Sequence, residues 1–343
     1  MAAAARAFWE EIMKPLEKRK EWYFIAAFLV IASVLPLCFL RNQYWLILLT
    51  TIVLYGVLTS AWNIIGGMAG QLDLSAGAYI GLGAFTAGTL LIRWNITPWV
   101  GMILGGLVSA GFAFVIGYPL FRFQIKEVWY ALSSSALVVV LQVVFLLWKN
   151  VGGPLERMLP YYDFSPYHLR FGTYLPFYYL MLGLLLITLY ITYRIQNNRL
   201  GYYLFALADD EEAAEALGAD ARKCKLRALM IYAFIVGATG SIYACIYGFI
   251  HPTFFSSTIS MEVAILGIIG GMGIIYGPLL ATVILVTGRE LLRANLGGQM
   301  QSFYLVIYAV ALILSALYKP RGLASIIQDA WFKRRAAGRE NQR

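Results

Sequence analysis

Residues 44–92 read YWLILLTTIVLYGVLTSAWNIIGGMAGQLDLSAGAYIGLGAFTAGTLLI. Two apolar runs in this stretch, 44–65 and 72–92, are each long enough to cross the hydrocarbon core of a bilayer as a helix. The segment between them, 66–70, holds three glycines, and glycine weakens a helix interior by about 1 kcal/mol per residue. The pattern predicts two membrane-spanning helices joined by a break in the backbone.

Apolar runs of this kind recur along the whole chain. The chain is 60% hydrophobic and only 13% charged, with a mean hydropathy of +0.70. This composition predicts an all-α polytopic membrane protein with about 8 to 10 transmembrane helices, some of them glycine-broken or re-entrant. The remaining candidate spans are 22–40, 99–120, 128–148, 174–193, 228–250 and 302–318, with an interrupted apolar stretch at 261–286.

The interrupted stretch 261–286 contains a second glycine cluster, GGMG at 270–273, which echoes GGMAG at 66–70. Paired interruptions in the two halves of a transporter indicate an internal repeat with a central pathway. Coincidence among 32 glycines, or close helix packing through small residues, would give the same pattern. On the first interpretation, the candidate residues of the translocation pathway are Gly67, Gly70, Gln71, Asp73, Ser75, Gly270, Gly271 and Gly273.

Asp73 is the one carboxylate that lies well inside an apolar stretch, because Glu262 and Glu290 are at or beyond the edges of theirs. An ionisable residue at membrane depth is by default a candidate functional residue. The alternative is that Asp73 caps a helix beginning at Leu74, since an aspartate just before a helix satisfies its free amides. Both interpretations place the pathway near this residue.

The net charge of +9 is distributed as in a membrane protein and argues against a nucleic-acid partner. Twenty of the 27 basic residues fall before residue 22, at 122–126, at 194–227 and after 318. The positive-inside rule therefore puts both termini and the loop 194–227 in the cytoplasm. The chain divides into an N-terminal cytoplasmic segment 1–21, a transmembrane domain 22–320 that includes this loop, and a basic cytoplasmic tail 321–343. Two partners are open for the basic residues at the end of this loop, Arg222, Lys223 and Lys225: lipid headgroups, which are the expected partners, or the surface of a cytoplasmic subunit.

Within the loop, residues 209–218 read DDEEAAEALG and predict a short acidic helix. Asp209 is placed to cap its first turn, Glu212 to complete a capping box, and Gly218 to end it in the left-handed conformation. Ala213, Ala214 and Leu217 would then form an apolar strip suited to docking in a groove. An ordinary solvated loop would show a similar pattern.

Several chemistries have no support in the sequence. The chain has no phosphate-binding loop and no Gly-Lys pair, so ATP would have to be bound by another subunit. Its two histidines and three scattered cysteines form no metal-binding or disulfide pattern. A secondary transporter or channel would need more intramembrane carboxylates, and a membrane enzyme acting on lipid would need a base near Ser133–Ser135.

Four segments together resemble the permeases of branched-chain amino acid ABC transporters, of the LivM type. The resemblance spans about residues 45–325 in order: 66–91, 198–218, 267–280 and 319–323. It implies an inner-membrane importer subunit that moves branched-chain or related small amino acids by alternating access. It also implies separate cytoplasmic ATPases, a second homologous permease and an extracytoplasmic substrate-binding protein. The residues expected to couple to the ATPase are Arg199, Gly201, Asp209, Glu212, Ala213, Ala214 and Gly218.

Overall fold

The computed structural model describes residues 31–40, 42–125, 127–151, 153–160 and 165–296, together with 309, 310, 313, 322 and 323. Almost all regular structure in these residues is helical. The α-helices are α1 (Gln43–Trp62), α2 (Ala76–Trp94), α3 (Pro98–Arg122), α4 (Glu127–Leu147), α5 (Leu175–Gln196), α6 (Arg199–Asp209), α7 (Glu211–Ala216), α8 (Ala221–Tyr247), α9 (Ser257–Gly270), α10 (Gly277–Ala281) and α11 (Thr287–Leu296). π-helical turns extend α1 over Asn63–Met68 and join α10 to α11 over Thr282–Val286. Short 3-10 turns lie at Leu35–Phe39, Pro166–His168 and Pro252–Phe254.

Seven of the described helical segments are long and apolar enough to cross a membrane, which confirms the prediction of an all-α polytopic fold. They are Gln43–Met68, Ala76–Trp94, Pro98–Arg122, Val128–Leu147, Leu175–Gln196, Ala221–Tyr247 and Pro252–Gly270. Of the predicted span 22–40, residues 31–40 are described, whereas the predicted span 302–318, the segment 1–21 and the tail 321–343 lie wholly or mostly outside the described residues. The internal repeat stays a prediction.

Small residues hold the centre of the bundle together. α8 packs against α2 and α3 so closely that a Cβ built on Gly83 would lie 1.9 Å from the carbonyl oxygen of Gly237. Ser241 Oγ of α8 lies within hydrogen-bond distance of the carbonyl oxygens of Gly83 and Gly101, at 3.1 and 3.3 Å. Glycine and serine let helix backbones approach in this way within a membrane, where apolar burial provides little drive for helix association.

Two predicted spans have different limits in the structure. The run 72–92 becomes helical only at Ala76, because residues 69–75 leave the helix of α1 and run through the protein interior before α2 begins. The run 228–250 belongs to α8, which starts seven residues earlier, at Ala221, and ends at Gly248 in the left-handed conformation. The predicted loop 194–227 is correspondingly almost all helical.

The stretch 261–286 turns back on itself, as its glycines predict. α9 ends at Gly270, the chain reverses through Gly271 and Gly273, which have positive φ angles of 113° and 78°, and α10 begins at Gly277. The two arms run antiparallel, since Gly270 packs on Gly277 near the turn and Glu262 pairs with Arg289 farther away. We call residues 257–296 the broken hairpin.

The two ends of the bundle differ in structure. One end, the loop face, carries residues 197–220 with α6 and α7. The opposite end carries a two-residue antiparallel ladder, in which Arg157 pairs with Ile250 and Met158 with Phe249. Both glycine clusters lie at the loop face, because Gly70 packs against Ala208 of α6 and Gly273 against Phe205 of the same helix.

Candidate functional site

The two glycine clusters meet each other in the structure. The amide of Gly273 donates to Asn63 Oδ1 at 2.9 Å, and Asn63 Nδ2 donates to the carbonyl of Ile274 at 3.1 Å. A Cβ on Gly67 would lie 2.5 Å from the nitrogen of Gly273. Residues more than 200 positions apart in the chain therefore form one junction, with Asn63 satisfying backbone groups that the break leaves without helical partners.

Trp62 fixes this junction from the side of α1. Its indole is fully buried and its Nε1 donates to the carbonyl of Asp73 at 2.7 Å. The ring lies against both glycine segments, because a Cβ added at Gly66 or at Gly267 would come within 2.3 Å of it. Glycine is required at both positions by this close approach of an aromatic ring.

Asp73 is buried in the non-helical segment that leads to α2. Its carboxylate accepts hydrogen bonds from the backbone amide and the hydroxyl of Ser75 and, at 2.7 Å, from the hydroxyl of Tyr130. The predicted cap of a helix beginning at Leu74 is wrong: Ser75 occupies the cap position, and the amide of Leu74 donates to Ser134 Oγ. Asp73 instead stabilises the non-helical backbone before the helix by bonding two residues ahead, as aspartates do in turns.

The remaining predicted pathway residues lie around the same junction. Gln71 is buried and lines a cavity of about 400 Å³ that opens at the loop face. The other residues lining this cavity are Phe121, Gln124, Ile125, Val128, Glu211, Arg222 and Lys225. Gly70, Gly271 and Gly273 all have positive φ angles, which glycine adopts without steric strain. Of the predicted set, Gly67 meets Gly273 directly, Asp73 is connected to the junction through Trp62, and Gly70 and Gly273 contact α6.

The acidic helix forms, but one residue later than predicted. Asp209 is the last residue of α6, so it cannot cap α7, and Asp210 takes that role with an extended backbone and Oδ1 accepting from Ala213 N at 3.0 Å. The predicted capping box is also wrong, because Ala213 and not Glu212 stands three residues after the cap. Gly218 ends the segment with a φ of +94°, as predicted. Asp220 caps α8, and its hydrogen bond to Lys223 lowers the pKa of the aspartate.

α7 presents an acidic and apolar surface outward. Leu217 is 90% exposed, and Glu212 and Ala213 are also exposed. Ala214, predicted to belong to the docking strip, is buried and faces the protein's own core. Among the coupling residues named from the resemblance, Arg199 is exposed, whereas Gly201 is buried at the corner between α5 and α6 with its Cα close to the carbonyl of Ile195.

An ion pair connects α7 to the N-terminal part of α8. Lys225 Nζ lies 2.7 Å from Glu211 Oε2, and the lysine side chain is only 6% exposed. The expectation that Lys225 would meet lipid headgroups is therefore wrong, since its charge is directed inward to a carboxylate of the acidic helix. No local sequence pattern predicts this pair, because the two residues are 14 positions apart and lie on different helices.

The structure contains a second charged cluster that the sequence did not predict. Glu262 of α9 and Arg289 of α11 form an ion pair, Tyr55 of α1 donates to Glu262 at 2.9 Å, and Glu290 lies 2.8 Å from Arg289. The guanidinium also lies over the Tyr55 ring, 4.9 Å from its centroid. Glu262 and Arg289 stood near the edges of apolar runs, and only the reversal of the broken hairpin brings them together.

Comparison with known proteins places this sequence in a family. Residues 44–315 match the family described as branched-chain amino acid transport system, permease component. The chain belongs to this permease family. The match covers both glycine clusters, α7 and the broken hairpin, so the junction described above lies inside the family's shared region.

Individual relatives agree with the family. The chain is 28% identical to the high-affinity branched-chain amino acid transport system permease protein LivM of Salmonella typhimurium, over 89% of this chain and 75% of the relative. LivM of Escherichia coli is 27% identical with the same coverage, and the fructose import permease protein FrcC of Rhizobium meliloti is 23% identical over 85% of this chain and 79% of its own. No solved structure matches the chain. These relatives are transport components, which confirms a transport subunit in preference to an enzyme.

Proposed function

We propose that this permease is the membrane subunit of an ATP-driven importer that carries branched-chain or related small amino acids across the bacterial inner membrane. Its partners are separate cytoplasmic ATP-binding subunits, a second homologous permease and an extracytoplasmic substrate-binding protein. Both termini and the loop face are cytoplasmic in this arrangement, in accord with the basic residues concentrated there. ATP is the cofactor of the partner subunits, and this chain binds none.

The observation that carries the proposal is the connection from α7 to the glycine junction. α7 exposes Leu217 and acidic side chains at the loop face, as a helix that docks in the groove of a partner does. Behind it, Glu211 is bonded to the buried Lys225 of α8. Preceding it, α6 contacts both breaks through Ala208 and Phe205. A displacement of α7 is therefore transmitted both to a membrane-spanning helix and to the junction.

This connection supports an alternating-access mechanism. The ATPases close on binding ATP and move α7, and α5 and α8 then rock about the junction of the two breaks. A difference of about 5.5 kcal/mol in partner affinity between two conformations takes their populations from 1:99 to 99:1.

The substrate assignment rests on the relatives. Both LivM proteins are named for branched-chain amino acids and are more similar to this chain than FrcC, which is named for fructose. The competing function is a secondary transporter or channel driven by an ion gradient. Uptake in proteoliposomes that contain the whole complex separates these alternatives, with leucine and fructose as substrates and ATP or an ion gradient as the energy source.

Two substitutions at α7 test the coupling role. Glu212→Lys reverses a charge on the exposed surface, and Gly218→Val forces a β-branched residue into a left-handed conformation that ends the helix. We expect both variants to insert normally but to lose ATP-driven uptake. Glu156→Lys, an exposed charge reversal at the opposite end of the bundle, is the matched control and should transport normally. Normal uptake by both α7 variants would exclude α7 as the coupling helix.

A further inference from the structure

The cavity at the loop face is formed by elements that are far apart in the chain. Gln71 belongs to the non-helical segment 69–75 beside the glycine junction, Glu211 begins α7, and Arg222 and Lys225 lie in the N-terminal part of α8. The volume of about 400 Å³ is in the range of small-molecule sites, about 300–1,000 Å³. A molecule bound in this cavity would contact α7, α8 and the junction segment at the same time.

The side chain of Gln71 is a buried amide in the wall of the cavity. The residue is only 5% exposed. Its backbone amide donates to the carbonyl of Ile65 at 3.1 Å, but its side-chain amide has no hydrogen bond to any residue that the structure describes. Buried polar side chains nearly always have a hydrogen-bond partner, and an amide group has both donors and an acceptor to satisfy. A polar ligand in the cavity would supply that partner.

The charged side chains of the cavity include both signs. Glu211 Oε2 lies 2.7 Å from Lys225 Nζ, and the Glu211 side chain is 41% exposed, so its carboxylate remains accessible. Arg222 takes part in none of the ion pairs between described residues, and the carboxylate two positions before it, that of Asp220, is paired with Lys223. A guanidinium and an accessible carboxylate are suitable partners for the carboxylate and ammonium of a zwitterion. An anion without an ammonium group would instead be repelled by Glu211.

The rest of the wall is mainly apolar. Phe121 at the end of α3 is 8% exposed, Ile125 is partly buried, and Val128 at the start of α4 is 70% exposed. Ligand sites combine an apolar wall of this kind with a few polar groups that fix the orientation of the ligand. A small aliphatic amino acid therefore matches the lining in its carboxylate, its ammonium group and its side chain.

We propose that this cavity is a product site, which binds the transported amino acid after its release into the cytoplasm. The α-carboxylate of the amino acid pairs with Arg222 and accepts a hydrogen bond from the Gln71 amide, and its ammonium group pairs with Glu211. The aliphatic side chain lies on Phe121 and Val128. This inference rests on the function proposed above, which puts the loop face in the cytoplasm.

Binding at this site opposes the movement of α7. The ligand connects Glu211 of α7 to Arg222 of α8 and to Gln71 beside the junction. A displacement of α7 relative to α8 breaks these contacts, so the ligand favours the undisplaced conformation by the difference between its affinities for the two conformations. Amino acid that accumulates in the cytoplasm therefore slows further uptake.

The binding test uses the whole complex in nanodiscs, where both faces are accessible, without ATP or binding protein. Val128→Cys is placed in a Cys38→Ser background, since Cys38 is the exposed one of the three cysteines, and is labelled with a permanently charged methanethiosulfonate. Leucine at ten times its half-protecting concentration should slow the labelling about tenfold, because the free fraction of the site falls as 1/(1 + [L]/Kd). Tyr202→Cys is the matched control, 48% exposed on α6 and outside the cavity, and leucine should not protect it.

The ligand chemistry is tested in the same assay. The analogues 4-methylpentanoate, without the ammonium, and 3-methylbutylamine, without the carboxylate, should give no protection at the same concentration. Arg222→Gln and Gln71→Met should keep the labelling and lose the protection by leucine. Gln124→Cys, at a second position in the cavity wall, serves as the reporter if Val128→Cys does not assemble.

The regulatory consequence is tested in proteoliposomes that hold ATP on the side of the loop face. Unlabelled leucine loaded on that side should lower both the initial uptake of labelled leucine and the rate of ATP hydrolysis severalfold. The fall in hydrolysis distinguishes inhibition from simple exchange of the label. For Arg222→Gln, the ratio of the rates without and with loaded leucine should fall towards one.

Three results would overturn the inference. If neither cavity reporter reacts, the cavity is covered in the assembled complex. If leucine protects no better than its two analogues, the cavity does not recognise a zwitterion. If leucine protects but loaded leucine leaves hydrolysis and uptake unchanged, the site does not regulate transport. ATP-driven leucine uptake by the unsubstituted complex, measured in parallel, shows that these results concern this inference alone; absence of that uptake would contradict the proposed function itself.

Discussion

At the scale of single residues, the carboxylate of Asp73 is a buried group near the glycine junction that needs hydrogen-bond donors from the protein. The carboxylate is 1% exposed and depends on Ser75 and Tyr130 for its donors. We expect Tyr130→Phe to lower the stability of the protein by about 1.5–3 kcal/mol, because a buried carboxylate loses a donor. Thermal unfolding in detergent measures the effect. Tyr190→Phe, at an exposed tyrosine of α5, is the control and should leave the midpoint unchanged.

The structural roles of individual residues could be predicted only in part from the sequence. Gly218 was predicted correctly, because a glycine after a helical pattern has few uses other than a left-handed stop. Asp209 was misplaced by one position, since two adjacent aspartates are equally good caps and only the length of α6 selects Asp210. The partners of Asp73 and Lys225 come from other helices, and no local pattern identifies them.

At the scale of elements, the contact between Trp62 and the two glycine segments makes a direct prediction. Gly66→Ala and Gly267→Ala each place a methyl group within 2.3 Å of the indole ring. Overpacking of this kind costs about 1–3 kcal/mol, so both variants should show a lower unfolding temperature. Gly183→Ala in α5 meets nothing within 4 Å and should be neutral or stabilising, as alanine favours a helix. Unchanged unfolding of both junction variants would mean that the two breaks are not packed as described.

The pair between α7 and α8 predicts a partial loss of coupling. Glu211→Gln leaves the buried Lys225 without its carboxylate and loosens the attachment of α7. We expect the complex to keep ATP hydrolysis but to transport less substrate per ATP. Lys223→Gln removes an exposed pair with Asp220, of a kind worth about 0–1 kcal/mol, and should leave the ratio unchanged. Equal ratios for Glu211→Gln and the original protein would show that this ion pair transmits no motion.

The docking surface of α7 predicts a loss of partner affinity. Leu217→Ala removes the highly exposed leucine at the C-cap of α7, and we expect it to weaken binding of the ATP-binding subunit by about tenfold or more, as loss of a buried anchor does. Pull-down of the ATPase by the tagged permease, over a range of concentrations, measures the change. Leu155→Ala, at a 73% exposed leucine on the opposite end of the bundle, should bind as the original does.

Element positions were easier to predict than their contacts. Long apolar runs with few charges predict where the membrane-spanning helices lie, and glycine clusters predict where these helices break. Both features depend on residues that are neighbours in the chain. The reversal of the broken hairpin, the meeting of residues 63–67 with 273–274, and the Glu262–Arg289 pair depend on how the arms pack. No pattern in the sequence alone predicts how these arms pack.

At the scale of the whole molecule, one path of contacts connects the loop face to the middle of the helix bundle. α7 is bonded to α8, α6 lies against both glycine clusters, and the broken hairpin extends from that junction to the charged cluster beside Tyr55. In the proposed alternating-access mechanism, this path carries a displacement of α7 into the helix bundle.

The most direct test is to purify the tagged permease in mild detergent, identify the subunits that accompany it, and reconstitute the eluate in proteoliposomes. The account predicts recovery of ATP-binding subunits with a second permease, and leucine uptake that depends on ATP and the substrate-binding protein. A chain that purifies alone and moves its substrate along an ion gradient without ATP would contradict it.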